Sequence, residues 1–135
     1  MILQSGVIPY RRVDGQVEVL LVSSSSGKRW GIPKGWISPT LSSEQSAAKE
    51  AWEEAGVRGT VQPPAIGHYE TRKFGFICRV EVFLMQVEQV EDDYPEAAVR
   101  KRQWMSFSKA SKLVHKSKLK QLLSQALNEL ELVAY

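Results

Sequence analysis

At 135 residues, the chain has the length of one domain (1–135) and is long enough to bury a hydrophobic core. Hydrophobic residues make up 43% of it and charged residues 24%, which is typical of a globular protein, and no apolar run of about 18 residues predicts a membrane-spanning helix. The net charge of +3 indicates neither a membrane partner nor a specific nucleic-acid partner.

The N-terminal sequence and the cysteine content predict the compartment. The first residues, MILQSGVIPYRR, lack the basic-then-apolar order of a secretory signal. The single cysteine, Cys78, excludes an internal disulfide. Both features are typical of a reducing environment, so we expect a cytoplasmic protein.

Two strands and a polar loop are predicted first. Residues 2–10 and 17–22 read as strands, and the turn signal Asp14-Gly15 between them favours a hairpin. The loop that follows, residues 23–29, is rich in serine and ends in Lys28-Arg29. It is either a flexible connector or a place where hydroxyls and a cation hold phosphate oxygens.

Residues 30–36, WGIPKGW, cannot form a regular helix, because Pro33 lacks an amide hydrogen and the two glycines are permissive. We expect a short strand that leads into a loop, with backbone able to approach a phosphate or a metal closely. A carbonyl oxygen near Gly35 could add a metal ligand. We interpret Trp30 and Trp36 as core packing.

A helix is predicted after this loop. Ser42 is the expected N-cap, and Gln45 completes a capping box with it. Gly56 supplies the C-terminal stop. A stripe of small and aromatic side chains should pack against a sheet: Ala47, Ala48, Ala51, Trp52 and Ala55.

The same helix carries Glu50, Glu53 and Glu54, at positions i, i+3 and i+4. That spacing places the three carboxylates on one face, where they repel one another unless a cation lies among them. Hard oxygen ligands at this density suit Mg²⁺ or Mn²⁺. The alternative is a solvated acidic face.

Strands are predicted again after the helix, at 57–62, 66–72 and 74–87, and Pro63-Pro64 interrupts the first of them. Alternation along the last of these predicts one apolar face, on which Cys78 is a buried small hydrophobe. Residues 88–96 read as an acidic loop, and residues 100–105 as the last strand. Ser108 could cap a helix at 109–115, and an amphipathic helix starts at Ser117.

The window from Gly35 to Val57 resembles the Nudix box, G-x5-E-x7-R-E-U-x-E-E-x-G-U, where U is apolar. Seven positions fall in register without a gap: Gly35, Glu50, Ala51, Glu53, Glu54, Gly56 and Val57. Leu41 stands where the family has Glu, and Lys49 where it has Arg. Further stretches, such as EEAGVRGT and GHYETRKF, are similar to the diadenosine and diphosphoinositol polyphosphate hydrolase branch.

This resemblance implies an α/β/α sandwich with a mixed central sheet, a catalytic loop and helix, and a C-terminal helix. It implies hydrolysis of a phosphoanhydride in a small polyphosphate substrate, with a divalent metal on Glu50, Glu53, Glu54 and Gly35 and one of the glutamates as base. It also implies a set of substrate-binding residues: Ser23, Ser24, Ser25, Lys28, Arg29, Lys34, Arg100, Lys101 and Arg102.

Two other functions stay open at this point. Because Leu41 and Lys49 depart from the box, a module that binds a nucleotide or a protein without cleaving it is the first alternative. A hydrolase of mononucleoside triphosphates is the second alternative. The absence of a Gly-Gly-Gly run in RWGIPKGW departs from inositol-specific relatives and favours a nucleotide substrate.

Overall fold

The computed structural model describes residues 1–132, which form seven strands and three helices. The strands are β1 (Ile2–Val13), β2 (Gln16–Ser23), β3 (Trp30–Gly31), β4 (Lys34–Trp36), β5 (Val57–Lys73), β6 (Phe76–Val90) and β7 (Arg102–Ser106). The helices are α1 (Ser43–Ala55), α2 (Phe107–Leu113) and α3 (Ser117–Leu132). None of the helices within residues 1–132 is both long and apolar enough to cross a membrane.

All seven strands belong to one mixed sheet centred on β1. β6 pairs with β1 in parallel from Ile2 to Tyr10, and the other pairings are antiparallel. On its other edge β1 changes partner along its length, because Gln4–Gly6 pair with β4 and Tyr10–Val13 pair with β2. The short strand β4 is thereby held beside the start of β1, directly before α1.

Helices cover both faces of the sheet, which confirms the predicted α/β/α sandwich. On one face α1 contributes Ala47, Ala51 and Ala55 to a cluster that includes Val7 and Phe83. On the other face α2 and α3 pack on a larger cluster, with Leu122 and Leu123 of α3 fully buried. Small alanine side chains let α1 approach the sheet closely, so its neighbouring glutamates are also drawn toward the sheet.

Helix α1 begins and ends as its sequence predicts. The amide of Gln45 donates to the Ser42 hydroxyl, and the Gln45 side chain accepts from the Ser42 amide at 2.9 Å. Gly56 takes the left-handed conformation, with φ of 66°, which glycine adopts without steric cost. These caps fix where α1 begins and ends, and therefore which of its residues lie next to β4.

Three predicted boundaries are wrong. Pro63-Pro64 does not end a strand, because β5 continues through it and absorbs the irregularity as a register shift against β6 between Gln62 and Gly67. The cap of α2 is Ser106 instead of Ser108, since its side chain accepts from the Lys109 amide. The last strand begins at Arg102, which leaves the preceding basic residues in the loop before β7.

Candidate active site

A cavity of about 970 Å³ opens where β4 passes between β1 and α1. Glu50 and Glu54 of α1 line it together with Tyr69 of β5 and Leu119 of α3. Basic residues from several separate segments also line it, including Arg29, Lys34 and Arg100. The cavity therefore combines acidic and basic side chains that are far apart in the sequence.

Glu50 packs directly on β4. A Cβ built on Gly35 would overlap the carboxyl carbon of Glu50, so the absence of a side chain at Gly35 makes room for this carboxylate. Burial, followed by the negative charge of Glu53, raises the pKa of Glu50 from 4.5 to about 7. The ionised form of Glu50 is short of compensating positive charge.

Glu54 is the most deeply buried of the three carboxylates, with 8% of the residue exposed. Its Oε1 accepts a hydrogen bond of 3.2 Å from the Lys34 amide, and its Oε2 lies 3.7 Å from Nη2 of Arg100. Burial raises the pKa of Glu54 to about 7, although Arg100 and the Lys34 amide act in the opposite direction. The predicted division of α1 into a core side and a carboxylate side is therefore incomplete, since Glu54 belongs to both.

Glu53 points differently from Glu50 and Glu54. Its Oε1 lies 3.0 Å from Nζ of Lys49, is shielded from solvent, and has no well-aligned hydrogen bond from any residue between 1 and 132. The box resemblance expects an arginine at position 49, and the lysine that stands there pairs with Glu53.

The three glutamates do not form a ready-made metal cage. Within the described chain, no three His, Cys, Asp or Glu side chains are already arranged to hold an ion. Their chemistry nevertheless fits a hard divalent cation, because Glu50 and Glu54 are desolvated carboxylates and Glu53 has a buried oxygen without a well-aligned donor.

Arg100 connects the acidic side of the cavity to the serine loop. Its Nε donates to Glu96 at 2.7 Å and its Nη1 donates to the carbonyl of Ser23 at 3.1 Å. A third nitrogen, Nη2, faces Glu54. The guanidinium is therefore held rigidly at the cavity wall, where it can meet an anion with little loss of side-chain entropy.

The nine predicted substrate-binding residues are divided by the structure. Five line the cavity: Ser23, Ser24, Arg29, Lys34 and Arg100. Burial lowers the pKa of Lys34, so a bound anion would stabilise the charged form of this lysine. The Ser23 hydroxyl is less available, because it accepts a hydrogen bond from the Lys101 amide at 2.9 Å.

The other four predicted substrate-binding residues are not among those that line the cavity. Ser25 is at the exposed tip of its loop, and Lys28 lines a separate hollow beside α2. Lys101 is exposed, while Arg102 donates to the Ala55 carbonyl at 2.8 Å and to Asp92 at 3.0 Å. We therefore remove Arg102 from the substrate-binding set, since its guanidinium secures the end of α1.

Several cavity residues were missed from the sequence. Tyr69, Thr71 and Lys73 of β5 line the cavity, and their period-2 spacing could have indicated a shared face. Gln4 also lines it from inside β1. The interpretation of Trp36 as core packing is wrong, because 59% of this residue is exposed, at the cavity.

Comparison with known proteins identifies a family whose sequence model matches this chain. A protein-family model described as "NUDIX domain" matches residues 3–126. "Nudix hydrolase 21, chloroplastic" of Arabidopsis thaliana is 33% identical over 129 residues, which are 91% of this chain and 65% of that protein. "Diphosphoinositol polyphosphate phosphohydrolase 3-alpha" of Mus musculus is 34% identical over 109 residues, 76% of this chain and 63% of that protein. The chain thus spans slightly less than two thirds of the length of these relatives.

Solved structures show the same fold. A Caenorhabditis elegans Ap4A hydrolase in a binary complex superposes with a TM-score of 0.85 at 22% identity, covering 97% of this chain and 98% of that one. The NUDIX domain of Shewanella oneidensis NrtR, complexed with ADP ribose, gives a TM-score of 0.76 at 21% identity, covering 96% and 88%. At these identities the likeness establishes the fold.

Proposed function

The chain belongs to the Nudix family, and from that premise we propose that it is a divalent-metal-dependent hydrolase of phosphoanhydride bonds. The proposed substrate is nucleoside-diphosphate-linked, a dinucleoside polyphosphate, and a diphosphoinositol polyphosphate, which has no nucleoside, is the second choice. One observation carries the proposal. Two desolvated carboxylates, Glu50 and Glu54, share a cavity with a fixed guanidinium and further cations, which is the charge distribution that a metal–polyphosphate complex needs.

In the proposed reaction Glu50, Glu53 and Glu54 would hold Mg²⁺ or Mn²⁺, with the Gly35 carbonyl as a further predicted ligand. When bound, such an ion neutralises phosphate oxygens and lowers the pKa of a water molecule. A glutamate then takes the proton of the attacking water. The family resemblance leaves both Glu53 and Glu54 open as this base.

The chain's own cations orient the substrate. Arg100 is fixed by Glu96 and the Ser23 carbonyl, so it can hold a phosphate in line for displacement without a large rearrangement. Arg29 and Lys34 bind the flanking phosphates. Water attacks one phosphorus, the bridging oxygen leaves with the other, and two phosphorylated products result.

A non-catalytic binding module is the second candidate, and the Lys49–Glu53 ion pair favours it. In that reading Lys49 neutralises Glu53 and the cavity binds a nucleotide without a metal. The same pair is compatible with hydrolysis if the ion displaces Lys49, which is more than half exposed at 55% and free to turn into solvent.

The experiment that separates these functions measures products. The protein is incubated with Mg²⁺ or Mn²⁺ and diadenosine tetraphosphate, nucleoside triphosphates or a diphosphoinositol polyphosphate, and phosphate-containing products are resolved by ion-exchange chromatography. Metal-dependent cleavage of the dinucleotide supports the proposal. Binding of these compounds without turnover of any of them would establish the module instead.

Stabilisation of the protein by Mg²⁺ is expected to grow with pH. Folding raises the pKa of Glu50 and Glu54 from 4.5 to about 7. In the metal-free protein their contribution to stability is therefore complete below about pH 4.5 and is lost as pH rises toward and above 7. Ionised carboxylates bind the cation best, so Mg²⁺ at roughly ten times its dissociation constant should raise Tm by about 5 °C at pH 8. Differential scanning fluorimetry should show almost no shift at pH 5.5, and an equal shift at both pH values would contradict the assignment.

A further inference from the structure

Gln4 is a buried polar residue whose side-chain oxygen has no partner among residues 1–132. Only 2% of the residue is exposed, and its Oε1 has no hydrogen bond from any residue in the described range 1–132. Burying an unpaired amide costs free energy, so an unsatisfied group of this kind calls for a ligand or another explanation. Gln4 also lines the cavity, and because its Oε1 is itself screened from solvent, the amide meets a ligand there once the side chain turns.

Trp36 lies directly across from it. Gln4 and Trp36 are cross-strand partners in the β1–β4 ladder, and directly opposed residues project from the same face of a sheet with their Cβ atoms about 5 Å apart. The indole is 59% exposed and also lines the cavity. An exposed tryptophan at a cavity mouth is a surface on which a planar group can stack.

The residues after Trp36 continue this wall. Ile37 and Pro39, which follow Trp36 in the chain, also line the cavity, whereas Lys34 and Arg100 lie in the part that adjoins Glu54. A substrate with phosphates at its reacting centre can therefore place an apolar, planar end against Trp36.

An amide beside a stacking surface matches a nucleobase. The last side-chain bond of glutamine rotates readily, so its amide can present a donor and an acceptor together. Glutamine pairs in this way with the adjacent amino group and ring nitrogen of adenine. An inositol polyphosphate offers neither a planar face nor such an edge.

Building on the proposed function, we infer that Gln4 and Trp36 form a nucleobase subsite, in which the base of the substrate stacks on Trp36 and pairs through an adenine-like edge with Gln4. This subsite makes a nucleotide, in preference to a diphosphoinositol compound, the substrate class of the cavity. It assigns Gln4 as the residue that discriminates between bases.

Binding can test the subsite without turnover. Isothermal titration calorimetry with the whole chain and Mg²⁺ compares adenosine diphosphate, inosine diphosphate and inorganic tripolyphosphate on the wild type, Gln4→Met and Trp36→Ala. Gln4→Met keeps the side-chain length and removes the unpaired amide, so the fold should be retained. Phe76→Ala is the matched control, because Phe76 is similarly exposed, at 62%, and is not among the cavity residues.

Trp36→Ala is expected to weaken the binding of adenosine diphosphate about 10- to 100-fold. Gln4→Met is expected to weaken it about tenfold and to abolish the preference for adenine over hypoxanthine. Tripolyphosphate binding should be unchanged by both, and Phe76→Ala should match the wild type. Unchanged adenosine diphosphate affinity in both variants, or no binding of it by the wild type, overturns the subsite. Base-selective binding without hydrolysis of any substrate would support the subsite while refuting the proposed hydrolase.

Discussion

Glu54→Gln is expected to lose roughly 10²- to 10⁴-fold in turnover without a loss of stability. The amide oxygen of the new side chain can still accept the hydrogen bond from Lys34, which Glu54 accepts at 3.2 Å. Arg100 keeps Glu96 at 2.7 Å, so no buried cation is left unpaired. Because the substitution removes a desolvated charge, the unfolding free energy should remain the same or rise. Steady-state kinetics on the cleaved substrate and thermal unfolding without metal measure the two effects.

Glu44→Gln is the control for this experiment. Glu44 lies in the first turn of the same helix, α1, and is not among the cavity residues. It should retain nearly full turnover. If Glu54→Gln kept more than a tenth of wild-type activity, Glu54 would be neither a metal ligand nor the base. If it lost activity and stability together, the carboxylate would serve the fold instead.

The helix that carries the glutamates could be predicted because its signals are local. Ser42 and Gln45 fix its start, and Gly56 fixes its end. Once those residues set the register, a repeat of 3.6 residues per turn places the glutamates on adjoining positions. The amphipathic α3 was predicted from the spacing of its apolar residues, and its start at Ser117 required no knowledge of the rest of the chain.

The basic half of the site could not be predicted in the same way. Arg100 and Arg102 are two residues apart and chemically identical, yet Arg100 faces Glu54 while Arg102 donates to the Ala55 carbonyl. The choice between them depends on where the chain turns into β7, which is a matter of tertiary packing. The interpretation of Trp36 failed for a related reason, since nothing local shows that the short strand β4 borders a cavity.

Gly35→Ala is expected to reduce kcat about 10- to 100-fold with little effect on the fold. Gly35 lies in β4, paired with Ser5 of β1, and alanine is acceptable in a strand. The added methyl group would nevertheless overlap the carboxyl carbon of Glu50. The flexible glutamate yields more easily than the sheet does, so Glu50 should turn away from the position predicted to hold the metal. Kinetics at saturating substrate across a range of Mg²⁺ concentrations should show a higher metal requirement.

Gly31→Ala separates this effect from a general loss of flexibility. Gly31 also lines the cavity, one short strand earlier, but a Cβ there meets no atom of residues 1–132 within 4 Å. It should leave both kcat and the Mg²⁺ requirement close to those of the wild type. Equal losses in the two variants would show that the glycines matter for loop mobility. A loss confined to Gly35→Ala would show that the strand and the helix approach closely enough there for only a hydrogen atom, and that this contact, set by the spacing of Gly35 and Glu50 in the motif, positions the carboxylate.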